Sequence, residues 1–153
     1  MAIEGFELAL SESPFFWGMD QRHLHELASQ AIRENFAVGE FIFREGEDAQ
    51  KFYLIKKGKV TLEVLAPDRG ASIVQTISGG DVLGWSWLFP PHRWHFDARA
   101  VEPTETLAID ARWLRERIED DHDLGYEMMK RIAHVMVNRL QATRLQLTDV
   151  YGD

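Results

Sequence analysis

The first regular pattern along the chain has a helical period. Ser13-Pro14 interrupts the chain, and Asp20 then stands where the N-cap of a helix is expected. Apolar residues follow at helical spacing, at Leu24, Leu27, Ala28 and Ala31. The pattern predicts one amphipathic helix that opens the fold. His23 and His25 lie two positions apart on it and cannot point the same way, so we interpret them as solvent-facing rather than as a metal pair.

The period changes to two between about residues 37 and 110. Residues 59–64 alternate cleanly and place Val60, Leu62 and Val64 on one face. Further strands are predicted at 40–43, 52–55, 72–77, 95–101 and 105–109. Turn residues separate these runs at the short spacing typical of an all-β sandwich or barrel, at Gly46, Gly58, Gly70, Gly79-Gly80 and Pro103. This part of the chain predicts a small antiparallel β-roll.

Helical spacing returns after Asp110, first in a short helix with Leu114 and Ile118. A longer helix follows the acidic run 120–123, whose charges suit a helix N-terminus. In it, residues recur in alternating steps of four and three, as in a coiled-coil seam: Met129, Ala133, Met136, Leu140, Thr143, Leu147 and Val150. A second stripe, Met128, Ile132 and Val135, is suited to cover the β-roll. We predict a homodimer through this helix; the alternative is that the whole stripe packs within one chain.

Composition and charge narrow the choice of function. The 153 residues suit a single domain, 1–153, and the formal net charge of −8 repels polyanions, which argues against binding to nucleic acid. The chain has no cysteine, so disulfides, thiolate nucleophiles and cysteine zinc sites are excluded. We find neither a secretory signal nor a long apolar run. We therefore expect a cytoplasmic protein without membrane contact.

Five short motifs carry a resemblance. They are FREGEDA at 43–49, FYLI at 52–55, GKV at 58–60, GDVLG at 80–84 and RLQAT at 139–143. In this order, the chain resembles the cyclic-nucleotide-binding domain in its catabolite activator (Crp/Fnr) form, with GDVLG leading into the phosphate-binding cassette and RLQAT in the C-helix. The resemblance runs from about Phe15 to Tyr151. It implies an α+β, mainly β fold: an antiparallel, jelly-roll-like β-roll with an N-terminal helix and a long C-terminal dimerisation helix.

The chain departs from the family pattern at the cassette. The family uses a glutamate after the cassette glycine to accept the ribose hydroxyl, and an arginine on the next strand to neutralise the cyclic phosphate, because a buried unpaired anion is very unfavourable. Here Trp85 follows Gly84, and Trp94 occupies the arginine position. Arg93 is adjacent, but strand alternation puts it on the opposite face unless Pro90-Pro91 shifts the register. The departures imply a ligand other than cyclic AMP or cyclic GMP.

The candidate ligand-binding residues combine the cassette, the following strand and the C-helix: Gly84, Trp85, Ser86, Trp87, Leu88, Arg93, Trp94, His95, Arg139 and Thr143. The resemblance places Thr143 at the purine base. Backbone amides at the start of a cassette helix, with Ser86, are candidates to receive an anion or a carbonyl. The tryptophans either line an aromatic-ligand pocket or fill it as core. Arg139 either stacks on Trp85 or supplies the missing positive charge.

The enzyme class worth testing on a β-roll is the cupin-type metalloenzyme. His92, His95 and Asp97 are a grouping with that chemistry, and we interpret them as a hydrogen-bonded surface cluster. His122 among the aspartates of the run 120–123 is interpreted as a solvated helix start. The segment GWSWL at 84–88 lacks the last glycine of a nucleophile elbow. We therefore expect no catalytic residue, no metal and no cofactor other than a small-molecule effector.

Direct DNA binding is not expected from this chain. In the Crp/Fnr regulators that it resembles, a helix-turn-helix domain follows the long helix, whereas this sequence ends at Tyr151-Gly152-Asp153. We predict a regulatory ligand-sensing module that signals through its C-terminal helix to a downstream protein. Two alternatives stay open: an interaction or dimerisation module with a tryptophan-filled pocket, and a cyclic-nucleotide-binding Crp/Fnr-type fragment without its helix-turn-helix.

Overall fold

Helices lie at both ends of the chain. The computed structural model describes residues 2–68 and 70–151, with the side chains of 5–68 and 70–145. The N-terminal helices are α1 (Ala2–Glu12) and α2 (Gln21–Gln30), with a 3₁₀ helix at Pro14–Phe16 between them. The C-terminal helices are α3 (Ala111–Asp120) and α4 (His122–Tyr151). The chain divides into two compact units, Met1–Glu116 and Arg117–Asp153, which we describe separately.

Seven antiparallel strands form two sheets in the described part of the N-terminal unit. The strands are β1 (Ile32–Phe36), β2 (Phe41–Phe43), β3 (Lys51–Lys57), β4 (Lys59–Ala66), β5 (Gly70–Ser78), β6 (Asp97–Ala100) and β7 (Thr104–Asp110). The order is β1-β7-β3 in one sheet and β2-β6-β4-β5 in the other. This arrangement confirms the predicted mainly β class and the antiparallel β-roll.

The core follows from the register of β3 with β7. Phe52 pairs with Ile109 and Leu54 with Leu107, so these four buried side chains share one face of the three-stranded sheet. On that face, the Phe52 ring lies 5.8 Å from Phe15. Tyr53 points to the opposite face, towards Phe43 of the four-stranded sheet at 6.2 Å. The strand therefore buries both faces, each large apolar side chain contributing about 1.5–3 kcal/mol.

The N-terminal helices confirm one prediction and overturn another. The Asp20 carboxylate accepts the Arg22 N–H at 2.8 Å, as expected of an N-cap. His23, predicted to face solvent, is only 2% exposed, and its Nδ1 atom has no hydrogen-bond partner. That interpretation was wrong because the buried face of α2 extends beyond its leucines and includes His23. His25 is exposed and pairs with Glu7 at 2.8 Å.

Two strands differ from those predicted. Strand β1 was not predicted: it begins at Ile32, ahead of the expected start of the β-roll at about 37, and it lacks a clean alternation because it is an edge strand with Ile32 itself 50% exposed. The sixth strand begins at Asp97 rather than at 95. Residues 92–94 form main-chain hydrogen bonds with 46–49 instead of joining the four-stranded sheet.

Gly58 in the β3–β4 turn provides a stability prediction. Its φ is +117°, and a Cβ atom would lie 2.7 Å from both the Pro103 carbonyl oxygen and Thr104 Cα. Gly58→Ala should therefore lower the free energy of unfolding by more than about 2 kcal/mol, from backbone strain and overlap together. Gly39→Ala is the matched control, since Gly39 has φ +90° but nothing within 4 Å of the added Cβ. Urea unfolding should separate the two variants, and equal losses would contradict a steric role for Gly58.

The C-terminal unit is an elbow followed by a long helix. The Asp121 carboxylate caps α4 by accepting the Asp123 and Leu124 N–H groups at 3.1 and 3.2 Å. At the elbow, a Cβ on Gly125 would lie 2.8 Å from the Ile118 carbonyl oxygen, so only glycine fits. In the described residues, no helix combines the length and the apolarity that crossing a membrane requires.

Two stripes of α4 differ in exposure. Leu124, Met128 and Ile132 are buried. Met129, Met136 and Leu140 of the predicted seam are 43%, 36% and 70% exposed, and Ala133 and Thr143 are also exposed. Leu147 and Val150, the last seam positions, lie outside the described side chains. The homodimer stays a prediction, with an apolar stripe available for it.

Candidate functional site

The predicted cassette is a turn rather than a helix. The Leu88 N–H donates to the Trp85 carbonyl at 2.9 Å, and residues 85–89 contain no α-helical residue. The expectation of a cassette helix was therefore wrong. Pro90 and Pro91 explain it, because neither has an N–H to continue a helix and each disfavours helical geometry in the residue before it.

Trp87 anchors this turn in the core. Its side chain is 0% exposed, and its ring lies 5.1 Å from that of Phe52. The Trp87 Nε1–H donates to the Gly84 carbonyl at 3.2 Å, and its carbonyl accepts from Arg115 Nη1 at 2.6 Å. Trp87 is thus a satisfied core side chain. Ser86 beside it is buried, while Trp85 and Leu88 are half-buried.

Trp94 is stacked face to face on Phe43. The ring centroids are 3.8 Å apart, the ring planes differ by 6°, and Trp94 is 3% exposed. The edge of the indole also lies against the cassette glycine, since a Cβ on Gly84 would lie 3.3 Å from Trp94 Cζ3 and 3.9 Å from Phe96 Cζ. The indole therefore fills the space beside Gly84 at the position where the resemblance expects an arginine.

Main-chain hydrogen bonds fasten Trp94 to the β2–β3 turn. The Gly46 N–H donates to the Trp94 carbonyl at 2.9 Å, and the Trp94 N–H donates to the Glu47 carbonyl at 3.0 Å. One step further, the Ala49 N–H donates to the His92 carbonyl at 2.7 Å. We call these paired residues, 46–49 and 92–94, the strap. It fixes the backbone beneath the indole.

Arg93 belongs to the strap. It is exposed where Trp94 is buried, as strand alternation predicts. Its Nη1 donates to the Gly46 carbonyl at 2.9 Å and lies 3.5 Å from the Asp48 carboxylate. The guanidinium is therefore directed to the turn 46–48.

The histidines near the strap do not assemble with Asp97 as a metal centre. His95 is exposed and His92 is half-buried with φ 58°. The Asp97 carboxylate accepts the Glu45 N–H at 2.7 Å and pairs with Arg44 at 3.4 Å. Over the part of the chain that the structure describes, no three histidine, aspartate or glutamate residues are placed to hold a metal.

The stacked indole belongs to an aromatic cluster that sequence analysis did not identify. Tyr53 lies 6.5 Å from Trp94, and Phe96 lies 6.2 Å from Phe43. Burial raises the pKa of the Tyr53 hydroxyl, and the charges of Glu34 and Glu47 raise it further, so this hydroxyl is neutral at physiological pH. The cluster offers flat apolar surfaces and no charge. In the sequence, the cluster was indicated only by aromatic residues such as Phe43 in FREGEDA and Tyr53 in FYLI. The directions of these side chains become clear only in the folded sheets.

Arg139 and Thr143 lie in the C-terminal unit, on α4. Arg139 is buried and Thr143 is exposed. The Thr143 hydroxyl donates to the Arg139 carbonyl at 3.0 Å, a bond within the helix. The other eight candidate ligand-binding residues lie in the N-terminal unit, where Trp87 and Trp94 are core.

Comparison with known proteins gives consistent matches. A CRP-like cAMP-activated global transcriptional regulator of Mycobacterium tuberculosis is 25% identical over 92% of this chain, which spans 61% of that relative's length. A solved structure from Geobacter metallireducens, described as a cyclic nucleotide-binding protein, superposes with a TM-score of 0.78 at 26% identity, covering 92% of this chain and 98% of that one.

A third match concerns a different ligand. The regulatory subunit of a cAMP-independent protein kinase A from Trypanosoma cruzi, solved with guanosine, has a TM-score of 0.67 at 25% identity, covering 82% of this chain and 48% of that one. The Mycobacterium and Trypanosoma relatives are described as a regulator and a regulatory subunit. Residues 33–121 match the family described as the cyclic nucleotide-binding domain. Together with the β-roll and the long C-terminal helix, this match assigns the chain to the cyclic nucleotide-binding domain family.

Proposed function

We propose that this chain is a regulatory ligand-sensing module whose ligand is not a cyclic nucleotide held in the family's usual way. The observation that carries the proposal is Trp94, which is 3% exposed and stacked on Phe43 where the resemblance expects the phosphate-neutralising arginine. A cyclic phosphate there would meet an indole in place of a cation. Burial of an unpaired anion is strongly unfavourable.

The charges around Trp94 support this proposal. The Arg93 guanidinium donates to the Gly46 carbonyl and lies close to Asp48, so binding a phosphate would require it to give up both contacts. The Tyr53 hydroxyl is neutral and buried. The side chains around Trp94 therefore favour a ligand without a phosphate group. The guanosine-bound kinase relative is a precedent within the family for such a ligand.

Signalling through α4 is the second part of the proposal. Met129, Met136 and Leu140 expose apolar surface at coiled-coil spacing. Pairing of two copies through this stripe would bury it, and a ligand-dependent shift of α4 would then change the surface that a downstream protein contacts. In this proposal the signal is a change in the surface that α4 presents to a downstream protein.

A thermal-shift panel tests the ligand class. A ligand at a hundredfold excess over its Kd stabilises the native state by about 2.7 kcal/mol and raises Tm. We expect no shift with cyclic AMP or cyclic GMP, and a shift with at least one uncharged ligand from a set of nucleosides, aromatic compounds and apolar acids. A dose-dependent shift with a cyclic nucleotide would contradict the proposal.

A second candidate function is a dimerisation module with a permanently filled pocket. Trp87 and Trp94, at 0% and 3% exposed, are as buried as ordinary core residues, which favours it. This candidate predicts that no ligand of any class shifts Tm, while the protein still dimerises through α4. Sedimentation velocity beside the thermal panel separates the two functions.

A further inference from the structure

We propose that the Trp94 indole is the built-in occupant of an aromatic slot, and that the ligand of this module carries a planar uncharged ring that takes the indole's place on Phe43. This inference rests on the proposed function, because it assumes a ligand other than a cyclic nucleotide. It adds the chemical class of that ligand and the atoms against which it lies.

The slot is defined by its walls. Phe43 forms one face, parallel to the occupant within 6° and 3.8 Å from its centroid. Tyr53 and Phe96 stand around that face, and Gly84 forms an edge where even a Cβ would approach the indole to 3.3 Å. A flat ring fits such a space, whereas a tetrahedral phosphate does not. Because aromatic rings line the slot, it favours an uncharged ring.

The walls do not depend on the indole. Phe43 belongs to β2 and Tyr53 to β3, while the strap holds the backbone of Trp94 through the Gly46 and Glu47 main chains. Shortening the Trp94 side chain should therefore leave the slot in place, as a dry apolar cavity that accepts an apolar molecule. An external ring that displaces the indole would restore the same stacking contact.

Trp94→Ala with free indole as the probe tests the inference. Indole should bind the folded variant, measured by calorimetry and by a rise in Tm. Wild-type protein should bind it about 100-fold more weakly if its indole leaves the slot about 1% of the time, because occupancy lowers apparent affinity by that fraction. Phe43→Leu added to Trp94→Ala is the matched control. It should weaken indole binding about 2- to 10-fold by removing the stacking partner.

Trp94→Leu is made in parallel, because Trp94→Ala deletes a large buried side chain. Leucine fills part of the slot and leaves space for a single ring, so phenol should raise the Tm of this variant more than indole does. A folded Trp94→Ala that ignores indole, or a wild-type protein that binds indole equally well, would overturn the inference, as would a Trp94→Leu variant that ignores phenol. The proposed function fails by a different result, a wild-type response to cyclic nucleotides.

Discussion

The double variant Trp85→Glu, Trp94→Arg should bind cyclic AMP measurably, where the wild-type protein does not. The arginine supplies the cation that a buried cyclic phosphate requires, and the glutamate supplies an acceptor for the ribose hydroxyl. Each hydrogen bond to a charged group contributes about 1.5–3 kcal/mol. One such bond amounts to about a 10- to 100-fold gain in affinity. Titration calorimetry of the folded variant is the measurement.

The control for this gain is Trp85→Glu with Trp94→Leu. It opens space beside Gly84 without adding a cation, so it should remain without measurable affinity. If the control bound cyclic AMP with the same affinity as the arginine variant, the Trp94 indole would prevent binding in the wild-type protein only by blocking space. If the folded arginine variant did not bind, the alignment of Trp94 with the family's arginine would be contradicted.

The second large effect concerns α4. Leu140 is 70% exposed and lies in the centre of the predicted seam. In a twofold dimer, Leu140→Glu would place two carboxylates in one apolar interface and remove two buried leucines, each worth about 1.5–3 kcal/mol. We expect the dimer to dissociate at micromolar concentration while each chain remains folded. Sedimentation velocity with far-ultraviolet circular dichroism checks both points.

Leu65→Glu is the matched control, because Leu65 is a leucine of similar exposure, 66%, on the β-roll. It should leave the dimer intact. A Leu140→Glu protein that sediments as a dimer would show that α4 pairs through another stripe or not at all. A wild-type protein that is monomeric at every concentration measured would contradict the proposed signalling through an α4 dimer.

Local signals in the sequence predicted much of the fold correctly. Asp20 was readable as an N-cap because its carboxylate acts on a backbone N–H two residues away, at 2.8 Å. The alternation in β4 was readable at Val60 and Leu62, which are buried in a central strand. It was wrong at Val64, which is 37% exposed and follows a register shift between Leu62 and Glu63. The alignment of Trp94 with the family's arginine rests on a count from a neighbouring motif and stays a prediction.

The features that the sequence did not predict depend on contacts between distant segments. His23 is buried although it stands among polar residues, and its burial depends on what packs over α2 rather than on its neighbours in sequence. The stacking of Trp94 on Phe43 joins residues fifty-one positions apart, across a strap whose hydrogen bonds use main-chain atoms and leave no side-chain signature. Strand β1 was missed because an edge strand need not alternate.

The most direct test of the central claim is equilibrium dialysis of cyclic AMP against the wild-type protein. The resemblance places Trp94 at the position of the phosphate-neutralising arginine, so we predict no saturable binding at concentrations at which the Trp85→Glu, Trp94→Arg variant is occupied. One nucleotide bound per wild-type chain would contradict this, because Arg93 or Arg139 would then have to neutralise the phosphate in place of the missing arginine.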